Sequence, residues 1–131
     1  MKNVLFICVG NSGRSQMAEA FFNHLAQGKA RATSSGTNPA SAVSPTVIQA
    51  MNEVGIDISS NRPKKLTVEI LDKADKVITM GCGAENVCPA TFVETEDWEL
   101  EDPKGQSIEK IREIRDQIKT RVEKLIKEMQ I

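Results

Sequence analysis

The feature that most constrains the fold is a nearly continuous apolar run close to the start of the chain, NVLFICV at residues 3–9. A strand that is solvated on one face alternates apolar and polar side chains, whereas a continuous run needs apolar cover on both faces. The run therefore predicts an interior strand of a parallel sheet. A polar turn and the amphipathic segment SQMAEAFFNHLAQG (15–28) follow it, so the chain opens with a strand–turn–helix unit.

The rest of the chain repeats this alternation of apolar runs and amphipathic segments. The pattern predicts further strands at 30–37, 75–81 and 90–95, and helices at 44–55, 66–74 and from Ser107 to the end. One face of the last helix is marked at helical spacing by Ile111, Ile114, Ile118, Val122, Leu125 and Met129. Such alternation predicts right-handed βαβ crossovers and a parallel sheet covered on both sides. The expected fold class is therefore α/β, a single domain over residues 1–131 with three α/β/α layers and a four-stranded parallel sheet.

Composition excludes several classes of function. The formal net charge is −1, from 17 basic and 18 acidic side chains, so no general attraction to nucleic acid or an anionic membrane is expected. No segment approaches the roughly 20 apolar residues of a membrane span, and MKNVLFICVG is too short in its apolar part for a signal peptide. A cytoplasmic location follows as an expectation. Three cysteines, an odd number, then favour catalytic, redox or incidental thiols over a disulfide framework.

The turn CVGNSGR (8–14) has the composition of an anion-binding loop. Gly10 and Gly13 leave backbone amides unobstructed, and the first amides of the following helix lack partners within the helix. Converging amides bind a tetrahedral oxyanion, and the Arg14 guanidinium can hold two of its oxygens. The candidate oxyanion-binding residues are Cys8, Val9, Gly10, Asn11, Ser12, Gly13, Arg14 and Ser15. The same field stabilises a thiolate at Cys8, which makes that residue a candidate nucleophile rather than a structural cysteine.

The segment LFICVGNSGRSQMAEAFF resembles the active-site segment of low-molecular-weight protein tyrosine phosphatases and of the arsenate reductases built on the same fold. Both groups of enzymes have a cysteine, five further residues, an arginine and a serine in a loop between a strand and a helix. Gln16 stands where the phosphatases usually have proline, which favours the reductases. The likeness continues through SSGT, EVGIDISS, VITMGCG, CP, DWELEDPKG and IREIRDQI, so it covers nearly the whole chain. It implies a low-molecular-weight phosphatase-like fold.

Arsenate reduction needs two electrons, so a second thiol must enter the reaction. Cys82 and Cys88 in MGCGAENVC are the candidates. The resemblance implies that Cys82 attacks Cys8, and that Cys88 resolves the resulting disulfide and carries the oxidation to the surface. No bound cofactor is expected. The oxidised pair would be reduced by an external thiol, thioredoxin in some members; a Met-Gly-Cys-Gly run like residues 80–83 occurs in members that rely on a small thiol instead.

Asp102, followed by Pro103, matches the general acid of the phosphatase fold, although an aspartate before proline is also a common turn residue. The chain departs from the family in three places. Cys82 and Cys88 are separated by five intervening residues rather than six, Gly13 replaces a common cysteine, and SNRPKKL lacks the acidic residue that helps some members bind potassium. We therefore expect no metal site.

The sequence predicts a monomeric arsenate reductase that binds arsenate, with phosphate or sulfate as mimics, and a thioredoxin-like partner. It predicts no nucleic acid or membrane partner. Two alternatives remain open. A low-molecular-weight protein tyrosine phosphatase would not need Cys82 and Cys88, and an oxyanion- or redox-sensing module would be oxidised without sustained turnover.

Overall fold

The computed structural model describes residues 2–80 and 94–129. The strands in these ranges are β1 (Lys2–Cys8), β2 (Ala30–Gly36), β3 (Lys76–Thr79) and β4 (Glu94–Asp97). The helices are α1 (Arg14–Ala26), α2 (Pro45–Asn52), α3 (Val68–Asp72) and α4 (Ile108–Glu128). The strands pair in parallel in the order β2-β1-β3-β4. The apolar run is thus an interior strand, as predicted.

Both faces of β1 are buried, and each supports a different layer. Val4 and Phe6 point into the larger apolar cluster, which also contains side chains of α1, α2 and α4. Leu5 and Ile7 point into a smaller cluster on the opposite face, next to α3. The predicted three-layer α/β/α fold with a four-stranded parallel sheet is confirmed.

The long C-terminal helix follows its predicted pattern. Its buried apolar side chains are Ile111, Ile114, Ile118, Val122 and Leu125, and they pack α4 against α1 and α2. The Ser107 side chain accepts a hydrogen bond from the Lys110 amide at 3.2 Å and so caps the helix. Although α4 is 21 residues long, no described helix is long and apolar enough to cross a membrane.

Some predicted boundaries differ from the observed ones. α1 ends at Ala26 because Gln27 adopts the left-handed conformation at φ 50°, and Gly28 follows at φ 82°. The helix predicted at 44–55 is observed as α2; Ser44 directly precedes it, and the Ser44 side chain makes no capping hydrogen bond. The predicted strand at 90–95 lies partly outside the described residues, and β4 runs two residues beyond its predicted end. Because β4 is an edge strand whose residues are polar or acidic, it carries no apolar pattern that would have marked its end.

Candidate active site

The turn after β1 is held from outside by the segment that follows β2. Four carbonyls of the turn accept hydrogen bonds of 2.9–3.2 Å from backbone amides of residues 37–44. The carbonyls are those of Cys8, Val9, Gly10 and Ser12, and the amides are those of Thr37, Asn38, Ala40 and Ser44. In a trans peptide the carbonyl and the following N–H point in opposite directions. The outward carbonyls therefore turn the amides of the next residues toward the inside of the loop.

Cys8 lies at the base of this loop with its side chain almost fully buried. The Asn11 amide donates a hydrogen bond to Cys8 Sγ at 3.2 Å, and Ser15 Oγ lies 2.8 Å from the same sulfur. Two polar hydrogens can thus reach one sulfur atom. The two contacts hold the sulfur in place at the base of the loop.

The hydrogen-bond partners of Asn11 decide which way the Ser15 hydroxyl donates. The Lys64 backbone N–H can only donate, and it lies 2.8 Å from Asn11 Oδ1. Asn11 Nδ2 must then be the atom that donates to Ser15 Oγ, at 2.7 Å. Because Ser15 Oγ accepts that bond, its own hydrogen is available to Cys8 Sγ.

Arg14 extends from the first residue of α1 to the loop that carries Asp102. Its side chain is buried; Nη1 donates to the Leu100 carbonyl at 3.2 Å, and Nη2 lies 3.9 Å from Asp102 Oδ2. The other carboxylate oxygen, Asp102 Oδ1, accepts from the Lys104 amide at 3.0 Å. The aspartate is thus both a turn residue and a charged neighbour of Arg14, with Oδ2 on the side of the site.

A cavity of about 480 Å³ brings these groups together. It is lined by Cys8, Val9, Gly10, Ser12, Gly13, Arg14, Asn38, Pro39, Ala40, Ala42, Ser44, Asp102, Pro103, Lys104 and Gly105. Of the predicted residues, Asn11 and Ser15 lie behind the cavity wall and contact Cys8. Cys82 and Cys88 lie outside the described residues. No side chain caps the N-terminus of α1 among the described residues, so its first amides remain available to an anion.

Sequence reasoning did not identify Gln16 as part of the loop's support. Its side chain is buried, and Nε2 donates to Asn11 Oδ1 at 3.2 Å and to the Arg62 carbonyl at 3.3 Å. Its Oε1 accepts from Asn61 Nδ2 at 3.2 Å. Gln16 therefore ties the turn to residues 61–64, which are far away in sequence. The only sequence signal for this role is that Gln16 is polar although its position in the first turn of α1 faces the interior.

Gly36 is a second residue whose role was missed. It pairs with Cys8 in the sheet, and a Cβ at this position would lie 2.6 Å from the Val9 carbonyl oxygen and 3.0 Å from Asn11 Cβ. Only a glycine lets β2 approach the turn so closely. The glycine that ends the SSG run was the available signal.

Glu19 lies one turn beyond Ser15 on α1 and is mostly buried. Its Oε1 accepts hydrogen bonds from Ser34 Oγ at 3.2 Å and from Lys64 Nζ at 3.3 Å. The ammonium group thus neutralises the carboxylate next to the loop. Within residues 2–80 and 94–129, no three His, Cys, Asp or Glu side chains cluster closely enough to hold a metal ion. The expectation that the protein binds no metal stays a prediction.

Comparison with known proteins places this geometry in a family. The model of the low molecular weight phosphotyrosine protein phosphatase family matches residues 3–131. The glutaredoxin arsenate reductase of Synechocystis sp. is 48% identical over 129 residues, which cover 96% of this chain and 97% of the relative.

Two solved structures are similar over almost the whole chain. The thioredoxin-dependent arsenate reductase of Corynebacterium glutamicum is 42% identical with a TM-score of 0.86; the match covers 99% of this chain but only 62% of that longer chain. An arsenate reductase in a phosphate-binding state is 43% identical with a TM-score of 0.82 and 98% coverage of both chains. The prediction of an enzyme of the arsenate reductase group is confirmed by these relatives. The chain therefore belongs to the low-molecular-weight phosphotyrosine protein phosphatase family, with arsenate reductases among its relatives.

Proposed function

We propose that this chain reduces arsenate to arsenite, with Cys8 as the nucleophile of a Cys-x5-Arg oxyanion loop and a disulfide that is relayed through Cys82 and Cys88. The observation that carries the proposal is the arrangement around Cys8. Its buried sulfur accepts a hydrogen bond from the Asn11 amide, lies 2.8 Å from the Ser15 hydroxyl and lines one cavity together with Arg14 and Asp102.

The inward amides of the loop, the free amides at the start of α1 and the Arg14 guanidinium form the oxyanion site. Arg14 gives one donor to the Leu100 carbonyl, which fixes the plane of the guanidinium and leaves its other donors for the ligand. Arsenate, phosphate and sulfate are tetrahedral oxyanions of similar shape, so we propose arsenate as substrate and the other two as mimics. The phosphate-binding state of the 43% identical arsenate reductase supports this choice.

The first chemical step joins Cys8 Sγ to arsenic. The thiolate attacks arsenate, a sulfur–arsenic bond forms, and one arsenic–oxygen bond breaks. Asp102 acts as the general acid and gives one proton to the hydroxyl group that departs from arsenic, which leaves as water. General acid catalysis of this kind contributes about 10²–10⁴-fold to the rate. Asp102 is mostly exposed, so it can exchange protons with solvent between turnovers.

The second step transfers two electrons. The Cys82 thiolate attacks Cys8 Sγ, a disulfide forms, and the sulfur–arsenic bond breaks with its electron pair going to arsenic, which leaves as arsenite. Cys88 then attacks Cys82, forms the Cys82–Cys88 disulfide and releases Cys8 as a thiolate. An external dithiol reduces the Cys82–Cys88 bond and completes the cycle.

For the external reductant we propose a thioredoxin-like protein. The C. glutamicum reductase is named as thioredoxin-dependent, whereas the Synechocystis relative is named as a glutaredoxin arsenate reductase. Thioredoxin and glutaredoxin with glutathione are therefore the two donors to compare. No bound cofactor takes part in the proposed cycle.

The test measures arsenite formed from arsenate by the wild type and by Cys8→Ser, Cys82→Ser and Cys88→Ser. One set of reactions contains thioredoxin, thioredoxin reductase and NADPH, and the other contains glutaredoxin, glutathione, glutathione reductase and NADPH. We expect turnover with thioredoxin in the wild type and none in any of the three variants. Turnover in the glutaredoxin set but not in the thioredoxin set would support arsenate reduction and identify glutaredoxin as the partner.

Two results would overturn the proposal. If the wild type forms no arsenite, and p-nitrophenyl phosphate is hydrolysed equally by wild type, Cys82→Ser and Cys88→Ser, the chain is a phosphatase. If arsenate or peroxide oxidises the thiols once, without turnover when reductant is present, the chain is a redox-sensing module. Cys8→Ser is the shared negative control in both cases.

We also propose that residues 1–131 form one domain that acts as a monomer in the cytoplasm. The family match over residues 3–131 and the packing of all described helices on one sheet support the single domain. Gel filtration with light scattering measures the oligomeric state, and a dimer would contradict the proposal.

A further inference from the structure

We propose that Gly13 is a positioning residue for the general acid, because its missing side chain is what lets Pro103 lie against the oxyanion loop and so holds Asp102 beside Arg14. This inference rests on the proposed function, since it assigns Gly13 a part in the acid step of that reaction. It is separate from any contact between the Gly13 amide and the oxyanion.

The contact between the two loops is unusually close. A Cβ built on Gly13 would lie 2.6 Å from Pro103 Cγ and 3.5 Å from Pro103 Cδ. Real Cβ atoms do not approach other atoms to 2.6 Å, so one of the two loops would have to move. The proline ring is closed onto its own backbone, and it cannot move aside as the end of a long side chain would.

The residue that would move with Pro103 is its neighbour, Asp102. Asp102 Oδ2 lies 3.9 Å from Arg14 Nη2, so its place over the site depends on where this loop lies. The same loop is anchored at its other side, because Arg14 Nη1 donates to the buried Leu100 carbonyl at 3.2 Å. The loop thus has two points of attachment to the oxyanion turn: a hydrogen bond at Leu100 and a steric contact at Pro103.

Other neighbours of Gly13 leave room for a methyl group. The next nearest side chain is Val47, whose Cγ2 would be 3.7 Å from the added Cβ, an ordinary van der Waals distance. Substitution by alanine therefore acts mainly on Pro103. For the same reason, removing the proline ring should relieve the effect of the alanine.

The test is a pair of double-mutant cycles measured on arsenate reduction. Gly13→Ala is combined first with Pro103→Ala, which removes the ring, and then with Asp102→Asn, which removes the acid. We expect Gly13→Ala to lower kcat about tenfold or more, a larger factor than that by which it raises the inhibition constant for inorganic phosphate. In the Pro103→Ala background the loss in kcat should fall to about twofold.

The cycle with Asp102→Asn separates positioning from a general disturbance of the site. If Gly13 acts through the acid, Gly13→Ala lowers kcat by less than about twofold in the Asp102→Asn background. Equal losses in wild-type and Asp102→Asn backgrounds would overturn the proposal, as would a kcat that Pro103→Ala does not restore.

A readout independent of catalysis keeps the inference testable if the reaction is a different one or a variant is unstable. Thermal unfolding of the four proteins in the Gly13/Pro103 cycle measures the contact directly. We expect Gly13→Ala to lower Tm and Pro103→Ala to cancel most of that loss. Additive changes in Tm would refute the contact whatever the enzyme does. If the wild type does not turn over arsenate but the Tm changes in the Gly13/Pro103 cycle are not additive, the proposed function is refuted. The contact between Gly13 and Pro103 is then still supported.

Discussion

Asn11 is the residue that links the turn after β1 to its surroundings. It is fully buried, adopts the left-handed conformation at φ 50°, and its amide donates to Cys8 Sγ. Its side chain accepts from the Lys64 amide and from Gln16 and donates to Ser15. The backbone amide and the side chain of this one residue thus join Cys8, the start of α1 and the segment at residues 61–64.

Replacing Asn11 separates the conformational part of this role from the hydrogen-bonding part. Asn11→Ala loses the three side-chain hydrogen bonds, and alanine tolerates the left-handed conformation at φ 50° less well than asparagine does. We therefore expect the free energy of unfolding to fall by about 3 kcal/mol. Asn11→Gly loses the same bonds but tolerates the conformation, so it should be about 1 kcal/mol more stable than Asn11→Ala. Urea unfolding measures both variants. Equal stability of the two would show that the left-handed backbone costs alanine nothing here.

At the scale of the elements, one carboxylate and two arginines join the C-terminal end of α2 to the first half of α4. Glu53, the residue after α2, accepts from Arg112 at 2.7 Å and from Arg115 at 3.0 Å. Arg115 Nη1 also donates to the Ala50 carbonyl near the end of α2, at 2.9 Å. The hydrogen bond from Arg112 holds the pKa of Glu53 below its ordinary value of 4.5, with a smaller effect of the same sign from Arg115 and partial opposition from burial.

A lowered carboxylate pKa makes this junction sensitive to acid. The unfolded chain protonates Glu53 near 4.5, whereas the folded chain does so only at lower pH. The charged carboxylate therefore stabilises the fold above that value, and its contribution is lost as the pH falls through the folded pKa. We expect wild type to melt above Glu53→Gln at pH 7 and the difference in Tm to shrink as the pH is lowered toward 3.

The matched control for this junction is Glu123→Gln, on the exposed face of α4. It also removes one carboxylate charge, but from a position on α4 that lies away from Arg112 and Arg115. Its effect on Tm should be small throughout the pH range. A difference between wild type and Glu53→Gln that stays constant from pH 7 to pH 3 would contradict the assignment of the charge to the junction.

Elements with a strong local pattern could be predicted from the sequence, and those without one could not. β1 and α4 follow directly from a continuous apolar run and from apolar spacing with a Ser107 cap. The end of β4 could not be predicted, because its residues Glu94–Asp97 are polar or acidic and the end is defined by pairing with β3. The predicted end of α1 is two residues too late, because Gln27 and not Gly28 is the first residue in the left-handed conformation.

The site divides in the same way. The loop at residues 8–15 could be predicted because its chemistry is local: a thiol, two glycines, an arginine and a helix start. The Gln16 contacts with Asn61 and Arg62, the hydrogen bond from Arg14 to the Leu100 carbonyl and the close approach of Gly13 to Pro103 join residues 45 or more positions apart. Such contacts depend on how the loops pack in three dimensions, which the spacing of residues in one segment does not specify.

At the scale of the whole molecule, the described residues cover the two faces of the sheet unequally. The larger layer contains three helices and most of the buried side chains. The other layer contains α3, none of whose residues is buried. A cavity of about 250 Å³ lies next to α3, lined in part by Ser35, Ile70, Lys73 and Ala74. The α3 layer therefore has few contacts to lose when it opens.

Unequal packing predicts unequal protection of backbone amides from hydrogen exchange. The amides of α3 should exchange through a local opening, and those of β1 only through global unfolding, because Val4, Leu5, Phe6 and Ile7 are almost fully buried. The variant that separates the two events is Ile118→Ala, which truncates a fully buried side chain of α4.

Native-state exchange of wild type and Ile118→Ala, followed by NMR or mass spectrometry, makes the comparison. Truncation at Ile118 should lower the free energy of unfolding by about 3 kcal/mol, and the protection of β1 amides should fall by the same amount. Protection in α3 should not change, because its opening does not involve the larger layer. Equal loss of protection in β1 and α3 would mean that both layers open together, and that the smaller layer is not an independent unit of stability.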